Sequence, residues 1–230
     1  MTALGLLCTD HRGEDDYPRI EQLLGSDVRV DLVRPDPGAG ITGAAEELRL
    51  AGADAVVRTG GGFTHDAEDE ADRVEELARQ TGMPASSTAL AFVNAARDLG
   101  AARVAVAAPA GTHEETARLR GFLRAGGLEV TGTHTAEAGS EPGSGSGSGS
   151  GEDVLLALVA AADTPDAEAV LLTDPALETA AHLPALEKAV GKPVLTASQV
   201  TVWEGLRLAE RRVHAPDLGA LFTRTPAWER

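Results

Sequence analysis

The stretch ADAVVRTG at residues 53–60 has a near copy, AEAVLLTD, at residues 167–174. In each copy an acidic residue stands within a short apolar run that ends in a threonine. Further along the chain, both copies continue with Gly-x-Pro, a short strand-like run, hydroxyl residues and a helical pattern, which read GMPASSTALAFVNAARDLG (82–100) and GKPVLTASQVTVWEGLRLA (191–209). An internal repeat of this kind predicts two similar structural units.

Outward from these copies, apolar runs of strand length alternate with helical patterns along the chain. The predicted strands are 3–7, 28–33, 53–57, 103–108, 128–132 and 167–172. The predicted helices are 15–24, 42–51, 67–80, 89–99, 114–125, 152–162, 180–190 and 199–209. This alternation predicts an α/β fold of two Rossmann-like lobes with parallel sheets. We expect a pseudo-twofold axis between the lobes and an active-site cleft at the carboxyl ends of their strands.

We place the lobes at residues 1–100 and 101–215, and a C-terminal tail at 216–230. The Gly/Ser stretch GSEPGSGSGSGSGE, residues 139–152, interrupts the second lobe. Its composition predicts a flexible loop, because repeating Gly-Ser cannot bury apolar surface. The sequence leaves open whether this stretch is a natural insertion or an engineered replacement.

Charge and cysteine content exclude several classes of function. The chain has 36 acidic and 20 basic residues, a net charge of −16. This balance argues against binding to nucleic acid or to an anionic membrane. No apolar run approaches the ~18 residues of a membrane span, and residues 1–20 are too charged for a signal peptide. The one cysteine, Cys8, excludes an internal disulfide. We expect a cytoplasmic protein with a small-molecule partner, and homo-oligomerisation is left open.

Three glycines follow the strand of the first copy, in VVRTGGGFTH at residues 56–65. They are not a phosphate loop, which reads GxxxxGK[ST], nor a dinucleotide fingerprint, which reads GxGxxG near the first strand. We predict that their backbone N–H groups bind a carboxylate or enolate oxygen, although a plain turn is the alternative. The residues assigned to this loop are Thr59, Gly60, Gly61 and Gly62.

Hydroxyl residues at the next strand end add candidate donors to the same ligand, namely Ser86, Ser87 and Thr88. The same three residues also suit the N-cap of a helix before Ala89, and both roles can hold at once.

The paired lobes, the two Gly-x-Pro segments and EDDYPRIEQLL (14–24) resemble the aspartate/glutamate racemase superfamily. Within it the likeness is to the maleate cis-trans isomerase and arylmalonate decarboxylase branch. The resemblance implies a cysteine at the end of the middle strand of each lobe. The two thiols then act as opposed acid and base on the substrate, or one of them acts as a nucleophile. Here the first position falls at Gly60, within one residue, and the second at Asp174. Arylmalonate decarboxylases also carry glycine at the first position but keep the second cysteine.

Two further positions bear on the resemblance. A tyrosine commonly follows the proline that opens the second lobe, whereas Pro109 is here followed by Ala110. Cys8 lies at the end of the first strand, where the family does not place its catalytic pair. The chemistry expected of the chain is therefore isomerisation, racemisation or decarboxylation of a small carboxylate by proton transfer, without the cysteine pair and without a cofactor.

Asp174 is the predicted general base, at a strand end from which its side chain can enter the cleft. The alternative is an Asx turn before Pro175, since Asp-Pro commonly initiates turns. Thr173, Pro175, Pro109 and Ala110 complete the predicted substrate-binding set.

Histidines supply a second set of candidates. His11, with Asp10 as its partner, follows the first strand and could act as acid or base, or could belong to a solvated loop. His65 and His113 also follow strand ends. No HExxH or carboxylate-histidine cluster is present, so we expect no metal.

Two other functions fit the same sequence. One is a vestigial protein that keeps the cleft and binds a ligand without chemistry. The other is an enzyme with a larger natural-product substrate in the same cleft. Asp174→Asn separates binding from catalysis, because a binding protein tolerates this change.

Overall fold

The computed structural model describes residues 1–8, 16–25, 27–35, 40–60, 63–108, 112–135 and 151–223. The first lobe contains β1 (Thr2–Cys8), α1 (Asp16–Leu24), β2 (Val28–Val33), α2 (Gly40–Leu50), β3 (Ala55–Thr59), α3 (Ala67–Thr81), β4 (Ala85–Ser87) and α4 (Thr88–Leu99). The second contains β5 (Arg103–Ala108), α5 (His113–Ala125), β6 (Glu129–Thr135), α6 (Gly151–Ala162), β7 (Ala169–Leu172), α7 (Leu183–Val190), β8 (Val194–Thr196) and α8 (Ala197–Leu208). Two 3₁₀ turns follow, Pro216–Leu218 and Ala220–Phe222.

Each lobe has a four-stranded parallel sheet, and the strand order is the same in both. The orders are β2-β1-β3-β4 and β6-β5-β7-β8. Register also agrees, because Leu4 pairs with Ala55 in the first sheet and Val104 pairs with Ala169 in the second. The predicted α/β class and the predicted repeat of two lobes are thus confirmed.

The acidic residue of each repeat copy has a structural role at the amino end of its sheet. Asp54 Oδ2 accepts a hydrogen bond of 2.9 Å from the backbone N–H of Ala3, at the start of β1. Glu168 Oε2 accepts bonds of 2.7 Å from Ala102 N–H and 3.0 Å from Arg103 N–H, at the start of β5. Each carboxylate therefore satisfies backbone donors that the edge of the ladder leaves open.

Helix α8 follows the second sheet in sequence but packs against α4 and against β1 and β3 of the first lobe. Close approach is achieved at Gly205, where a Cβ atom would lie 3.2 Å from a Leu4 methyl group and 3.5 Å from one of Val57. One buried cluster of apolar side chains consequently runs through both lobes, from Leu4 to Leu171.

The structure moves several predicted boundaries; for example, the strand predicted at 53–57 is observed as Ala55–Thr59. Helix α7 begins at Leu183 and not at Ala180, because residues 179–180 make a contact described below. Gly151 and Glu152 open α6, and the rest of the predicted Gly/Ser loop lies outside the described residues. The predicted tail begins with the 3₁₀ turns, whose apolar side chains are buried in the core, namely Leu218, Leu221 and Phe222. In the part of the chain that is described, no helix is long and apolar enough to cross a membrane.

Candidate active site

The carboxyl ends of β3 and β7 form the starting point of the candidate site. Thr59, the last residue of β3, pairs with Cys8 at the end of β1, and both are buried. Thr173 directly follows β7 and is also buried; its backbone N–H donates to the Ala107 carbonyl at 3.0 Å and its hydroxyl donates to the same oxygen at 3.3 Å. The register of the two sheets makes Thr173 equivalent to Thr59, although β7 itself ends at Leu172, and it makes Asp174 equivalent to Gly60.

The loop that leaves β3 begins in a conformation that favours glycine. Gly60 has a backbone φ angle of 110°, in a region that residues other than glycine rarely adopt. Gly61 and Gly62, which complete the predicted oxyanion-binding loop, lie outside the described residues. The backbone conformation at Gly60 supports the turn role, and the binding role of this residue stays a prediction.

Beyond the glycines, the second lobe anchors this loop. The ring of Phe63 lies 5.2 Å from that of Phe122 on α5, edge to face, and 6.0 Å from that of Phe92 on α4. A second contact comes from Arg118 on α5, whose Nη1 donates to the Thr64 carbonyl at 3.0 Å. The path of the first-lobe loop is thus set by helices α4 and α5.

The loop that leaves β7 begins with an Asx turn. The Oδ1 atom of Asp174 accepts a 2.9 Å hydrogen bond from the backbone N–H of Ala176. This is the alternative that the Asp174-Pro175 pair suggested, and both residues are half-buried. The turn engages one carboxylate oxygen and fixes the direction of the side chain.

The same loop ends on a buried carboxylate of the first lobe, which sequence reasoning did not single out. Asp16, at the start of α1, accepts hydrogen bonds from the backbone N–H groups of Thr179, at 2.8 Å, and Ala180, at 3.0 Å. The Ser198 hydroxyl, in the first turn of α8, donates to Asp16 Oδ2 at 2.6 Å. Asp16 was hidden in the acidic run GEDDY, which reads as a solvated surface segment.

The three predicted hydroxyl donors have separate roles. Ser87 is the N-cap of α4, its Oγ accepting from Leu90 N–H at 3.4 Å, which confirms the capping interpretation. Ser86 Oγ donates to Glu204 at 2.7 Å. The Thr88 hydroxyl lies 2.6 Å from that of Thr201, whose own proton goes to the Ala197 carbonyl. The hydroxyl protons of Ser86 and Thr88 are therefore donated to protein acceptors, whereas the capping hydroxyl of Ser87 acts as an acceptor and can still donate its own proton. Binding of a ligand by these three residues stays a prediction.

Glu204 is completely buried at the contact of α4 and α8, and a set of donors surrounds it. Beside Ser86, Asn94 Nδ2 donates to it at 2.9 Å, and Arg207 Nε donates to its other oxygen at 2.7 Å. The hydrogen bond to Glu204 raises the pKa of the Arg207 guanidinium further above its already high value. This charged network holds the two lobes together behind the strand ends.

The structure describes only some of the remaining predicted site residues. His65 is half-buried in the loop after β3, and His113 is exposed at the start of α5. Among the described residues no group of three or more His, Cys, Asp or Glu side chains could hold a metal ion. Outside the described residues lie Asp10, His11, Pro109 and Ala110.

Comparison with known proteins identifies the family. A family model described as arylmalonate decarboxylase matches residues 39–222, most of the chain. The chain belongs to the arylmalonate decarboxylase family. The chain is 32% identical over 144 residues to arylmalonate decarboxylase of Bordetella bronchiseptica, and 30% identical over 156 residues to maleate isomerase of Geobacillus stearothermophilus. The two matches cover 62% and 66% of this chain. They cover 59% and 60% of the relatives, so the chain matches about three fifths of the length of each.

Solved structures agree with the two-lobed fold of this family member. A crystal structure of arylmalonate decarboxylase superposes with a TM-score of 0.77 at 24% identity, covering 97% of this chain and 100% of that one. The maleate isomerase of Pseudomonas putida S16 with maleate superposes with a TM-score of 0.81 at 20% identity, covering 98% of both chains. The resemblance found in the sequence, to the maleate isomerase and arylmalonate decarboxylase branch, is thereby confirmed.

Proposed function

We propose that this protein is an enzyme that transfers a proton at the α-carbon of a small carboxylate, without a cofactor, at the carboxyl ends of β3 and β7. The observation that carries the proposal is the equivalence of Gly60 and Asp174. Both residues directly follow a buried threonine, Thr59 or Thr173, and the register of the two sheets makes these threonines equivalent. Family membership supports it, because relatives named arylmalonate decarboxylase and maleate isomerase are enzymes acting on small carboxylates.

In the proposed chemistry Asp174 moves the proton. After loss of CO₂ from a malonate, the electron pair of the broken C–C bond forms an enolate, and Asp174 in its acid form delivers a proton to the α-carbon. In a racemisation the ionised Asp174 removes the α-proton from one face, the enolate then turns its other face to Asp174, and the proton is returned to that face. In both cases backbone N–H groups of the glycine loop stabilise the enolate oxygen. The Asx turn leaves Oδ2 of Asp174 for this role.

The test is turnover of an arylmalonate, maleate and a chiral 2-aryl carboxylic acid in D₂O, followed by NMR for deuterium at the α-carbon. Asp174→Asn keeps size and hydrogen bonding but removes the base, so turnover should fall roughly a hundredfold or more. Asp166→Asn is the matched control, since this exposed residue precedes β7 at the opposite end of the strand. Near-normal turnover in Asp174→Asn would remove this residue from the reaction.

The Asx turn favours a second candidate, a ligand-binding protein without chemistry, because it gives Asp174 a structural role. In that case the wild-type protein binds one of these acids, exchanges no α-proton and keeps its affinity in Asp174→Asn. The same assay therefore separates the two candidates. A larger substrate, a cytoplasmic location and homo-oligomerisation stay predictions from the sequence.

A further inference from the structure

The carboxylate of Asp16 connects the two lobes beside the proposed site. It is 4% exposed, and its partners Thr179 and Ser198 are 1% and 4% exposed. Oδ2 is 2.8 Å from Thr179 N, 3.0 Å from Thr179 Oγ1 and 2.6 Å from Ser198 Oγ, and Oδ1 is 3.0 Å from Ala180 N. Hydrogen bonds to a charged acceptor are stronger than neutral ones, and here they offset the burial of the charge.

The residues that Asp16 holds end the loop that Asp174 begins. At its start the loop is fixed by the two bonds of Thr173 to the Ala107 carbonyl. In the middle the Asx turn joins Asp174 to Ala176. Asp16 fixes the far end, so the loop is tied at three points and Asp174 has little freedom to move.

The partners of Asp16 differ in what they determine. The Ser198 hydroxyl can rotate toward another acceptor, and the Thr179 hydroxyl also lies 2.8 Å from that of Thr196. The N–H groups of Thr179 and Ala180 point where the backbone directs them, so they face the carboxylate only when the loop has this path. Asp16 therefore selects one conformation of the loop, and Ser198 mainly stabilises Asp16.

We propose that Asp16 is a positioning residue for Asp174, a first-lobe carboxylate that holds the catalytic loop of the second lobe through the N–H groups of Thr179 and Ala180. This inference rests on the proposed function for Asp174. We expect its main effect on kcat, because the proposed function assigns the substrate oxygen to the glycine loop of the first lobe, while a misplaced Asp174 transfers its proton slowly.

The experiment compares Asp16→Asn with Ser198→Ala by backbone hydrogen exchange and by steady-state kinetics. Both variants weaken the same cluster, but only Asp16→Asn places an amide opposite the two N–H groups. We expect faster exchange at residues 176–180 and a kcat lowered by about tenfold or more with little change in KM for Asp16→Asn. Ser198→Ala should lower the melting temperature but keep loop protection and kcat.

Unchanged protection in Asp16→Asn would overturn the inference, and so would faster exchange with unchanged kcat. If Asp16→Asn does not fold, hydrogen exchange of the wild-type protein is the test. The inference requires that the amides of Thr179 and Ala180, which donate to Asp16, exchange more slowly than the amide of exposed Glu178. Equal rates at these three amides would overturn the inference. Absence of turnover in the wild-type protein would be a failure of the proposed function alone, since hydrogen exchange still tests whether Asp16 holds the loop.

Discussion

The loops after β3 and β7 leave equivalent strand ends, yet they are anchored by different interactions. In the first lobe the anchor is aromatic, Phe63 against rings of α4 and α5. In the second lobe it is a buried carboxylate, Asp16, that accepts backbone N–H groups. In each case the anchor includes the first helix of the opposite lobe, α5 or α1. The same pair of elements, a loop and the first helix of the opposite lobe, is thus in contact on both sides, while the type of contact differs.

The difference follows from what each loop presents. The first loop begins with glycines, which have no side chains to fix them, so a large apolar ring supplies the missing contact area. The second loop begins with a carboxylate that needs a defined direction, which hydrogen bonds provide better than packing does. The first two of the following changes act on the loop of the first lobe, and the third acts on another carboxylate of the second lobe that accepts backbone N–H groups.

The largest effect on stability is expected from Phe63→Ala, which removes the aromatic anchor. Truncation of a fully buried phenylalanine costs roughly 3–5 kcal/mol, and Phe63 is partly buried, so we expect a loss of about 2 kcal/mol. Urea denaturation measures it. Phe63→Leu should recover most of the loss because it keeps apolar volume. A loss in Phe63→Ala no greater than that in Phe63→Leu would show that the rings do not anchor the loop.

A smaller effect is expected from Gly60→Ala. At a φ of 110° the added Cβ strains the backbone, at a cost of roughly 1–2 kcal/mol. Gly121→Ala is the control, because Gly121 lies within α5 and nothing would lie within 4 Å of its Cβ. Alanine should stabilise that helix by roughly 0.5–1 kcal/mol. Thermal melts should thus shift in opposite directions, and a shared direction would show that Gly60 is not under backbone constraint.

The smallest effect concerns Glu187, a second carboxylate that holds the second lobe by backbone N–H groups, those of Val194 and Ala220. Burial raises its pKa above the ordinary value, and the two N–H bonds only partly oppose this. Ionised Glu187 therefore lowers the free energy of unfolding at neutral pH. This loss of stability disappears as pH falls through the raised pKa of the folded protein toward the pKa of the same group in the unfolded chain. In Glu187→Gln this gain on acidification should be absent.

The control for that measurement is Glu168→Gln. The backbone N–H groups of Arg103 and Ala102 lower the pKa of Glu168, so its contribution is present above the unfolded pKa and is lost as pH falls through the lowered one. Relative to the wild-type protein, the change in urea midpoint between pH 7 and about pH 4, a range that reaches the unfolded-chain pKa of a glutamate, should therefore have opposite sign in the two variants. The same sign in both would contradict the assigned direction for Glu187.

The sequence predicts most of the architecture because local patterns carry it. Strand-length apolar runs, Gly-x-Pro turns and the repeated acidic residue are all visible in single segments, and Asp54 and Glu168 have the equivalent roles that the repeat implies. The sequence also predicts the helix cap at Ser87, because a capping pattern spans only a few residues.

Contacts between distant segments are what the sequence does not show. Asp16 bonds residues 163 and 164 positions away, and no periodicity reports such a pair. The Ser86 hydroxyl donates to Glu204, 118 positions later, and nothing in the sequence near Ser86 indicates that partner. The direction of Asp174 was equally open, because a strand end permits both an Asx turn and a side chain in the cleft.

The packing of α8 on the first sheet also determines the order in which the chain can mature during synthesis. Leu4 and Val57 leave the ribosome long before Gly205, the residue that packs against them. Until α8 emerges, that face of the first sheet is uncovered and open to mistaken contacts, which is the hazard of late, long-range closure. The first lobe therefore completes this part of its core only after α8 has emerged, and a fragment that stops after α4 lacks part of its own interior.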